Sequence, residues 1–174
     1  MCSLHRDPRA VLHSQSHVWD KHWFDWHTQI DDVARTYCEG VAEDIREFRH
    51  LKATYPQQFK LIRYEDGALQ PEHFARDIFS FLHFNFTQDI KDKVLAMTSG
   101  DSKKKETNYS THRANPEYDV QKWRFSAGLN QSRHVDVNCG DLYPLLGYRR
   151  IDSQEDLVGN KSFVLDLDRD SGLF

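Results

Sequence analysis

Apolar residues recur at helical spacing over residues 28–55, and this feature constrains the fold more than any other. Thr28 is a suitable N-cap, Asp31 and Asp32 suit the positive end of a helix dipole, and Pro56 lies beyond the last turn. A long helix with one apolar face must pack against another layer of structure. The residues of that face are Ile30, Val33, Ala34, Tyr37, Val41, Ile45, Phe48 and Leu51.

Shorter elements surround this helix in the sequence. Asp7 followed by Pro8 predicts a helix start, with an acceptor at the cap and proline at the first helical position. "FKLIRYEDG" predicts a strand over residues 60–64 that ends in a loop. Further helices are predicted from Pro71 with Phe74, Ile78, Phe81 and Leu82 inward, from Thr87 with Ile90, Val94 and Leu95 inward, over residues 118–125, and over residues 132–146.

The predicted helices outnumber the strands that would cover their apolar faces. Strand–loop–helix order indicates an α/β layer with a parallel sheet. Only the strand at residues 60–64 is clear, beside a short one at residues 3–5 and a candidate at residues 162–167. We therefore expect an α/β chain with few parallel strands flanked by several helices, forming the C-terminal part of a larger domain.

Size and charge limit the function classes. The 174 residues fit one domain, and 39% hydrophobic with 13% aromatic residues indicates a packed core rather than disorder. A formal charge of −4 gives no general attraction to nucleic acid, so any anion site must be local. We expect no nucleic-acid partner.

Sequons and cysteines bear on the cellular compartment. Four of the six asparagines, Asn85, Asn108, Asn130 and Asn160, stand in N-x-S/T, where about one is expected from ordinary Ser and Thr usage. This favours a secretory lumen, although no signal peptide or membrane-spanning run occurs in the sequence. The three cysteines are too few for a disulfide scaffold. Cys38 and Cys139 either pair across the domain or stay free, and a Cα separation within bonding range would decide between these.

Arg6 and Ser14 form a candidate anion clamp. Arg6 precedes a predicted helix at the end of a strand, the edge where ligands collect in open α/β folds. Its guanidinium matches phosphate oxygens bidentately, and the Ser14 hydroxyl, about two turns into the helix, adds a donor. The alternative is that Arg6 pairs with Asp7 or Glu65 and that Ser14 is an ordinary surface residue.

Two other groups of residues invite a chemical interpretation. His13 and His17 lie one helical turn apart, with Asp20, His22 and His27 nearby, which is a zinc-compatible spacing; ordinary packing is favoured and we predict no metal. Glu65 and Asp66 are adjacent and point in different directions, so a shared acid–base site is disfavoured. We expect one of this carboxylate pair to brace the segment around Arg6 through Arg9.

Four segments carry a family resemblance: "RDPRAVLHS", "LIRYEDGALQP", Trp123-Arg124 and "CGDLYPLLGY". Together they resemble motifs of the sulfotransferases that use 3′-phosphoadenylyl sulfate (PAPS), especially the Golgi carbohydrate sulfotransferases. "RDPRAVLHS" is similar to the family's 3′-phosphate-binding segment. "LIRYEDGALQP" is similar to its L-R-Y-E-D-L-x-x-x-P loop, with Gly67 where the family prefers leucine, which would loosen the loop. Trp123-Arg124 and "CGDLYPLLGY" resemble late family motifs. The resemblance covers about residues 4–150.

The resemblance implies a fold and an activity. The fold would be the C-terminal portion of a P-loop-NTPase-like sulfotransferase domain at residues 1–150, followed by a polar tail at residues 151–174. Arg6 and Ser14 would bind the 3′-phosphate of PAPS, and a glycan or glycosaminoglycan hydroxyl would accept the sulfuryl group. The family's 5′-phosphosulfate loop and catalytic base are expected upstream, so the chain would be a fragment without turnover. Residence in the Golgi lumen, with a membrane anchor upstream, is implied.

Two further cofactor contacts are predicted. Arg113 and the lysines of the polar basic loop at residues 99–116 would contact phosphate or sulfate, and Trp123 would stack on a sugar or adenine face. The alternatives are a solvated loop and a buried structural tryptophan. Two competing functions remain open at this stage: a non-catalytic module that binds a nucleotide or sulfated glycan, and a metal-binding helical protein.

Overall fold

The computed structural model describes residues 1–18, 27–98, 115–159 and 164–165. It is a mixed helical structure with a small parallel sheet. The elements in chain order are β1 Cys2–His5, α1 Pro8–Val18, α2 His27–Thr54, β2 Lys60–Arg63, α3 Tyr64–Leu69, α4 Pro71–Phe81, α5 Gln88–Thr98, α6 Pro116–Gln121, α7 Trp123–Ser126, α8 Leu129–Cys139, α9 Tyr143–Leu146 and α10 Gln154–Val158. Within these residues, no helix combines the length and apolar character needed to cross a membrane.

The chain divides into two compact units, Met1–Ile62 with Trp123–Phe174, and Arg63–Lys122. In the first unit β1 and β2 are neighbours, and the Lys60 N–H donates to the carbonyl of Met1 at 3.0 Å. The predicted long helix is confirmed as α2, which packs mainly against α8. Its buried apolar residues form the core with those of the other elements of this unit: Leu12, Ile30, Ala34, Ile45, Phe48, Leu61, Val135, Leu146 and Leu157.

A disulfide joins the two main helices of the first unit. Cys38 on α2 and Cys139 on α8 are bonded, with their Cα atoms 5.3 Å apart. Of the two possibilities left open by the sequence, the structure therefore has Cys38 and Cys139 paired and not free. About two helical turns before Cys38, the carboxylate of Asp31 accepts from Asn138 Nδ2 at 2.8 Å and contacts His134 Nδ1 at 3.0 Å, so polar contacts flank the covalent link.

The second unit departs from prediction in the segment after β2. Tyr64–Leu69 is a short helix, not the expected loop, and Glu65 and Asp66 occupy its first turn, where acidic side chains meet the positive end of the dipole. Gly67 lies against the Phe74 ring: a Cβ atom built on it would be 3.0 Å from Phe74 Cδ1. The glycine therefore does not loosen a loop but allows close packing between α3 and α4.

Helix α4 buries less than its apolar spacing predicts. Phe74, Ile78 and Phe81 are half-buried and Leu82 is exposed, so none of the four inward residues is fully enclosed. On α5, Ile90 and Val94 are half-buried whereas Leu95 is exposed.

Two predicted helices are each divided in two. Residues 118–125 correspond to α6 and α7, and residues 132–146 correspond to α8 and α9. The second break has a clear cause, because Pro144 in the first turn of α9 cannot donate a backbone hydrogen bond to the preceding turn. The polar basic loop lies outside the described residues up to residue 114.

Part of the predicted polar tail is packed. Ile151 and Leu157 are buried in the first unit, and an isolated antiparallel bridge joins Tyr148 to Val164, within the candidate late strand. The other residues of that strand's range up to 163, and those from 166 onward, lie outside the described residues. The domain boundary at residue 150 stays a prediction.

Candidate functional site

The turn from β1 into α1 is built by Asp7. Its carboxylate oxygen Oδ1 accepts from the backbone N–H of Arg9 at 2.9 Å, as an N-cap does, and Pro8 takes the first helical position. The Val11 N–H donates to the Asp7 carbonyl at 3.0 Å, which closes the first turn. The predicted helix start is confirmed, and it leaves Arg6 between the end of the strand and the cap.

Arg9 extends this turn into the core. Its Nε and Nη2 donate to the two carboxylate oxygens of Asp7 at 2.9 and 2.8 Å, a bidentate pair with both side chains fully buried. Its Nη1 donates to Asp136 Oδ1 on α8 at 3.1 Å. The predicted contact of Glu65 or Asp66 with Arg9 is wrong, since Arg9 is held by Asp7 and Asp136. Asp66 pairs with Arg63. That Glu65 braces the segment around Arg6 in another way stays a prediction.

Asp136 joins Arg9 to two later parts of the chain. The Tyr143 hydroxyl donates to its Oδ1 at 2.6 Å, and the backbone N–H of Ile151 donates to its Oδ2 at 2.8 Å. The Arg9 guanidinium also lies over the rings of Tyr143 and Trp123, with its Cζ 4.7 and 5.3 Å from their centroids. We name Asp7, Arg9, Asp136 and Tyr143 the Arg9 cluster.

The Arg9 cluster holds one guanidinium against two carboxyl groups out of contact with water. Burial opposes the charge on Arg9, but Asp7, Tyr143 and Asp136 outweigh it and its pKa lies above the ordinary value. Burial raises the pKa of the Asp136 carboxyl, and the nearby Arg9 charge acts in the opposite direction. Removing either partner of such a pair lowers the free energy of unfolding, because the remaining charge would be buried without a counter-charge.

Arg6 and Ser14 are the two residues that the sequence predicts to bind an anion near this turn. Arg6 is half-buried, and Ser14 is exposed on α1, about 9 Å along the helix axis from Pro8. A guanidinium and a hydroxyl are a suitable donor set for a phosphate dianion. That these two groups meet on one phosphate stays a prediction.

Trp123 is buried, as expected for a structural tryptophan, which was the alternative to a cofactor contact. It is 2% exposed and packs on Arg9 inside the first unit. Direct stacking of Trp123 on a nucleotide or sugar stays a prediction. The Arg113 contact and those of the neighbouring lysines lie outside the described residues.

Arg124 has a structural role that the sequence analysis did not predict. It is buried and donates to the carbonyls of Leu157, Asp156 and Gly159 at 2.6, 2.8 and 2.9 Å. These are the carbonyls at the C-terminal end of α10, which favours a cation. Within the first unit, the guanidinium therefore anchors residues 156–159 to α7.

The histidines of α1 make contacts with protein groups. The rings of His13 and His17 pack with centroids 4.4 Å apart, and His13 Nε2 lies 2.9 Å from Ser126 Oγ. Asp20 and His22 lie outside the described residues. Among the residues that are described, no group of three or more His, Cys, Asp or Glu side chains could hold a metal ion.

Comparison with known proteins gives a consistent result. The family model for the sulfotransferase domain matches residues 1–143. Carbohydrate sulfotransferase 3 of Tetronarce californica is 29% identical over 94% of the chain and 39% of its own length. Carbohydrate sulfotransferase 3 of Mus musculus is 30% identical over 84% of the chain and 33% of its own length. Carbohydrate sulfotransferase 1 of Mus musculus is 28% identical over 88% and 40%.

The aligned part is short relative to these proteins. The chain spans between 33% and 40% of the length of these three relatives. No solved structure matches it significantly.

Proposed function

The chain belongs to the sulfotransferase domain family, and on this premise we propose that it is the 3′-phosphate-binding part of a carbohydrate sulfotransferase that uses PAPS. One observation carries the proposal. A strand, a capped turn and a helix carry Arg6 and Ser14 in the family's segment, and the buried Arg9 cluster holds that turn in place.

The chain's own residues would do the binding and orienting. Arg6 would pair with the 3′-phosphate bidentately, and the Ser14 hydroxyl would donate to one further phosphate oxygen. When bound, PAPS supplies the sulfuryl group for in-line transfer to a carbohydrate hydroxyl. Sulfuryl transfer depends on the position of the reacting groups. A well-ordered turn that fixes Arg6 would therefore contribute by restricting the conformations of the bound nucleotide.

We expect these 174 residues to bind but not to transfer. The family's glycine- and serine-rich loop for the 5′-phosphosulfate has no counterpart among them, and neither has its catalytic base. In the intact relative, these parts would complete a P-loop-NTPase-like domain in the Golgi lumen, on a membrane-anchored glycoprotein that acts on a glycan or glycosaminoglycan. The buried disulfide and the number of sequons support a lumenal location.

The test compares two nucleotides that differ by the 3′-phosphate. Calorimetry should give measurable affinity for adenosine 3′,5′-bisphosphate and weaker affinity for adenosine 5′-monophosphate. Ser14→Ala should weaken binding of the bisphosphate by about 10-fold or more, the effect of one hydrogen bond to a charged group. Equal affinity for the two nucleotides would contradict the proposed function, and robust sulfate transfer to oligosaccharides would contradict the expected lack of turnover.

A further inference from the structure

We propose that Asn85 is an N-glycosylation acceptor and that the loop between α4 and α5 is built to present it. This inference does not rest on the proposed function. It rests on how the fold arranges the three residues of one sequon, Asn85, Phe86 and Thr87.

The loop begins with a defined helix end. The N–H of His83 donates to the carbonyl of Ser80 at 3.0 Å, and that of Phe84 donates to the carbonyl of Phe79 at 2.9 Å. His83 has a φ of 58°, the left-handed conformation that commonly ends a helix. The chain therefore leaves α4 in a set direction just before Asn85.

The middle residue of the sequon is anchored. The Phe86 ring meets that of Phe79 edge-on, with centroids 5.5 Å apart, and the Arg76 guanidinium lies over it at 4.6 Å. Phe86 is half-buried, whereas Asn85 and Thr87 on either side are exposed. Residues 84–87 lie outside helix and strand, so the separation of about 200° that a helix would impose on Asn85 and Thr87 does not apply here. The acceptor amide and the hydroxyl of the sequon are therefore both exposed, on either side of one anchored ring.

A second sequon provides an internal contrast. Asn130 and Ser132 lie in the first turn of α8. In a helix, residues two positions apart point about 200° away from each other around the axis. Asn130 is exposed, but Ser132 is 0% exposed. Once α8 has formed, its amide and hydroxyl cannot be reached from one side. Asn108 and Asn160 lie outside the described residues.

Two other observations suit a glycan at this place. The Cys38–Cys139 disulfide indicates an oxidising compartment, which is where N-glycosylation occurs. Phe84, immediately before the acceptor, is 64% exposed, and Leu82 is 45% exposed. A bulky hydrophilic sugar on Asn85 would cover this apolar loop.

The reaction takes its sugar from a lipid-pyrophosphate-linked oligosaccharide. The Asn85 amide nitrogen forms a bond to C1 of the first sugar, the bond from C1 to the pyrophosphate oxygen breaks, and the lipid pyrophosphate leaves. The amide loses one proton, so atoms and charge balance without an oxidant or reductant.

The experiment expresses the full chain in cultured animal cells behind a cleavable secretion signal, with a reporter sequon in a flexible tail. Site occupancy is measured by mass spectrometry after enzymatic release of glycans in heavy-oxygen water. We expect Asn85 to be occupied, and to be occupied more fully than Asn130. Bare Asn85 in molecules whose reporter is glycosylated would overturn the proposal, as would equal or higher occupancy at Asn130.

Matched variants separate the sequon from the fold. Asn85→Gln and Thr87→Val should each remove one glycan, seen as one lost mobility step on gels. Thr87→Ser keeps the hydroxyl and should keep the glycan. If Thr87→Val retains the glycan at Asn85, the hydroxyl presented by this loop is not what the modifying enzyme reads, and the proposal fails.

Discussion

Asp136 joins three parts of the chain within the Arg9 cluster, because it accepts from Arg9, Tyr143 and the backbone of Ile151. Asp136→Ala would leave Arg9 and the Tyr143 hydroxyl under-satisfied inside the protein. We predict a loss of about 3–5 kcal/mol in the free energy of unfolding, the usual cost of breaking a buried pair. Urea unfolding followed by circular dichroism measures this.

A surface acid of the same type is the control for Asp136. Asp32 pairs with Arg35 on α2, and both side chains are more than half exposed. Asp32→Ala should change the free energy of unfolding by less than about 0.5 kcal/mol. Similar effects of the two substitutions would mean that the Arg9 cluster does not stabilise the fold as described.

His5 gives a pH dependence of known sign. Burial lowers its pKa below the ordinary 6.5, and the charge of Asp44 opposes this. As the pH falls below 6.5, the unfolded chain therefore takes up a proton that folded His5 resists, and the free energy of unfolding falls. Unfolding midpoints between about pH 7.5 and 5 should decline less steeply in His5→Gln than in the wild type. Identical slopes would exclude His5 as the source.

At the scale of elements, two glycines in helices should respond differently to substitution. A Cβ on Gly40 in α2 would meet nothing within 4 Å, whereas one on Gly67 in α3 would press on Phe74. Gly40→Ala should stabilise by about 0.5–1 kcal/mol through helix propensity. Gly67→Leu should destabilise by about 1–3 kcal/mol through overpacking. A stabilising Gly67→Leu would show that Phe74 moves aside freely.

Local signals predicted the elements that rest on local chemistry. The apolar period and Pro56 predicted α2 within a residue at either end, and the Asp7–Pro8 pair predicted the start of α1. The short helix α3 was missed because Glu65, Asp66 and Gly67 suit a turn as well as a first helical turn. The break before α9 was missed although Pro144 carried the signal.

The contacts that hold the candidate site were beyond prediction from sequence. Arg9 and Asp136 are 127 positions apart, and neither carries a local signal that names the other. Asp136 stands between Val135 and Val137 in an otherwise polar segment, where an acid is ordinarily exposed. Its burial follows from the packing of α8 beside α1, which only the folded chain shows.

At the scale of the whole molecule, the disulfide is a contribution to stability that substitution of two residues removes. Cys38 and Cys139 are 101 positions apart, so the bond restricts a long loop in the unfolded chain. The double substitution Cys38→Ala and Cys139→Ala should lower the free energy of unfolding by about 2–5 kcal/mol. Cys2 is free and exposed, so Cys2→Ala should change little. The bond is refuted if the native chain without reductant presents three reactive thiols instead of one.

The account depends on Arg6 contacting the 3′-phosphate, and a double-mutant cycle tests this most directly. Calorimetry on the wild type, Arg6→Ala and the exposed control Arg35→Ala, each with adenosine 3′,5′-bisphosphate and adenosine 5′-monophosphate, isolates the coupling between side chain and phosphate. We predict a coupling of about 1.5–3 kcal/mol for Arg6, a change of about 10–100-fold confined to the bisphosphate, and none for Arg35. An Arg6→Ala variant that loses affinity for both nucleotides equally, or for neither, would contradict the account.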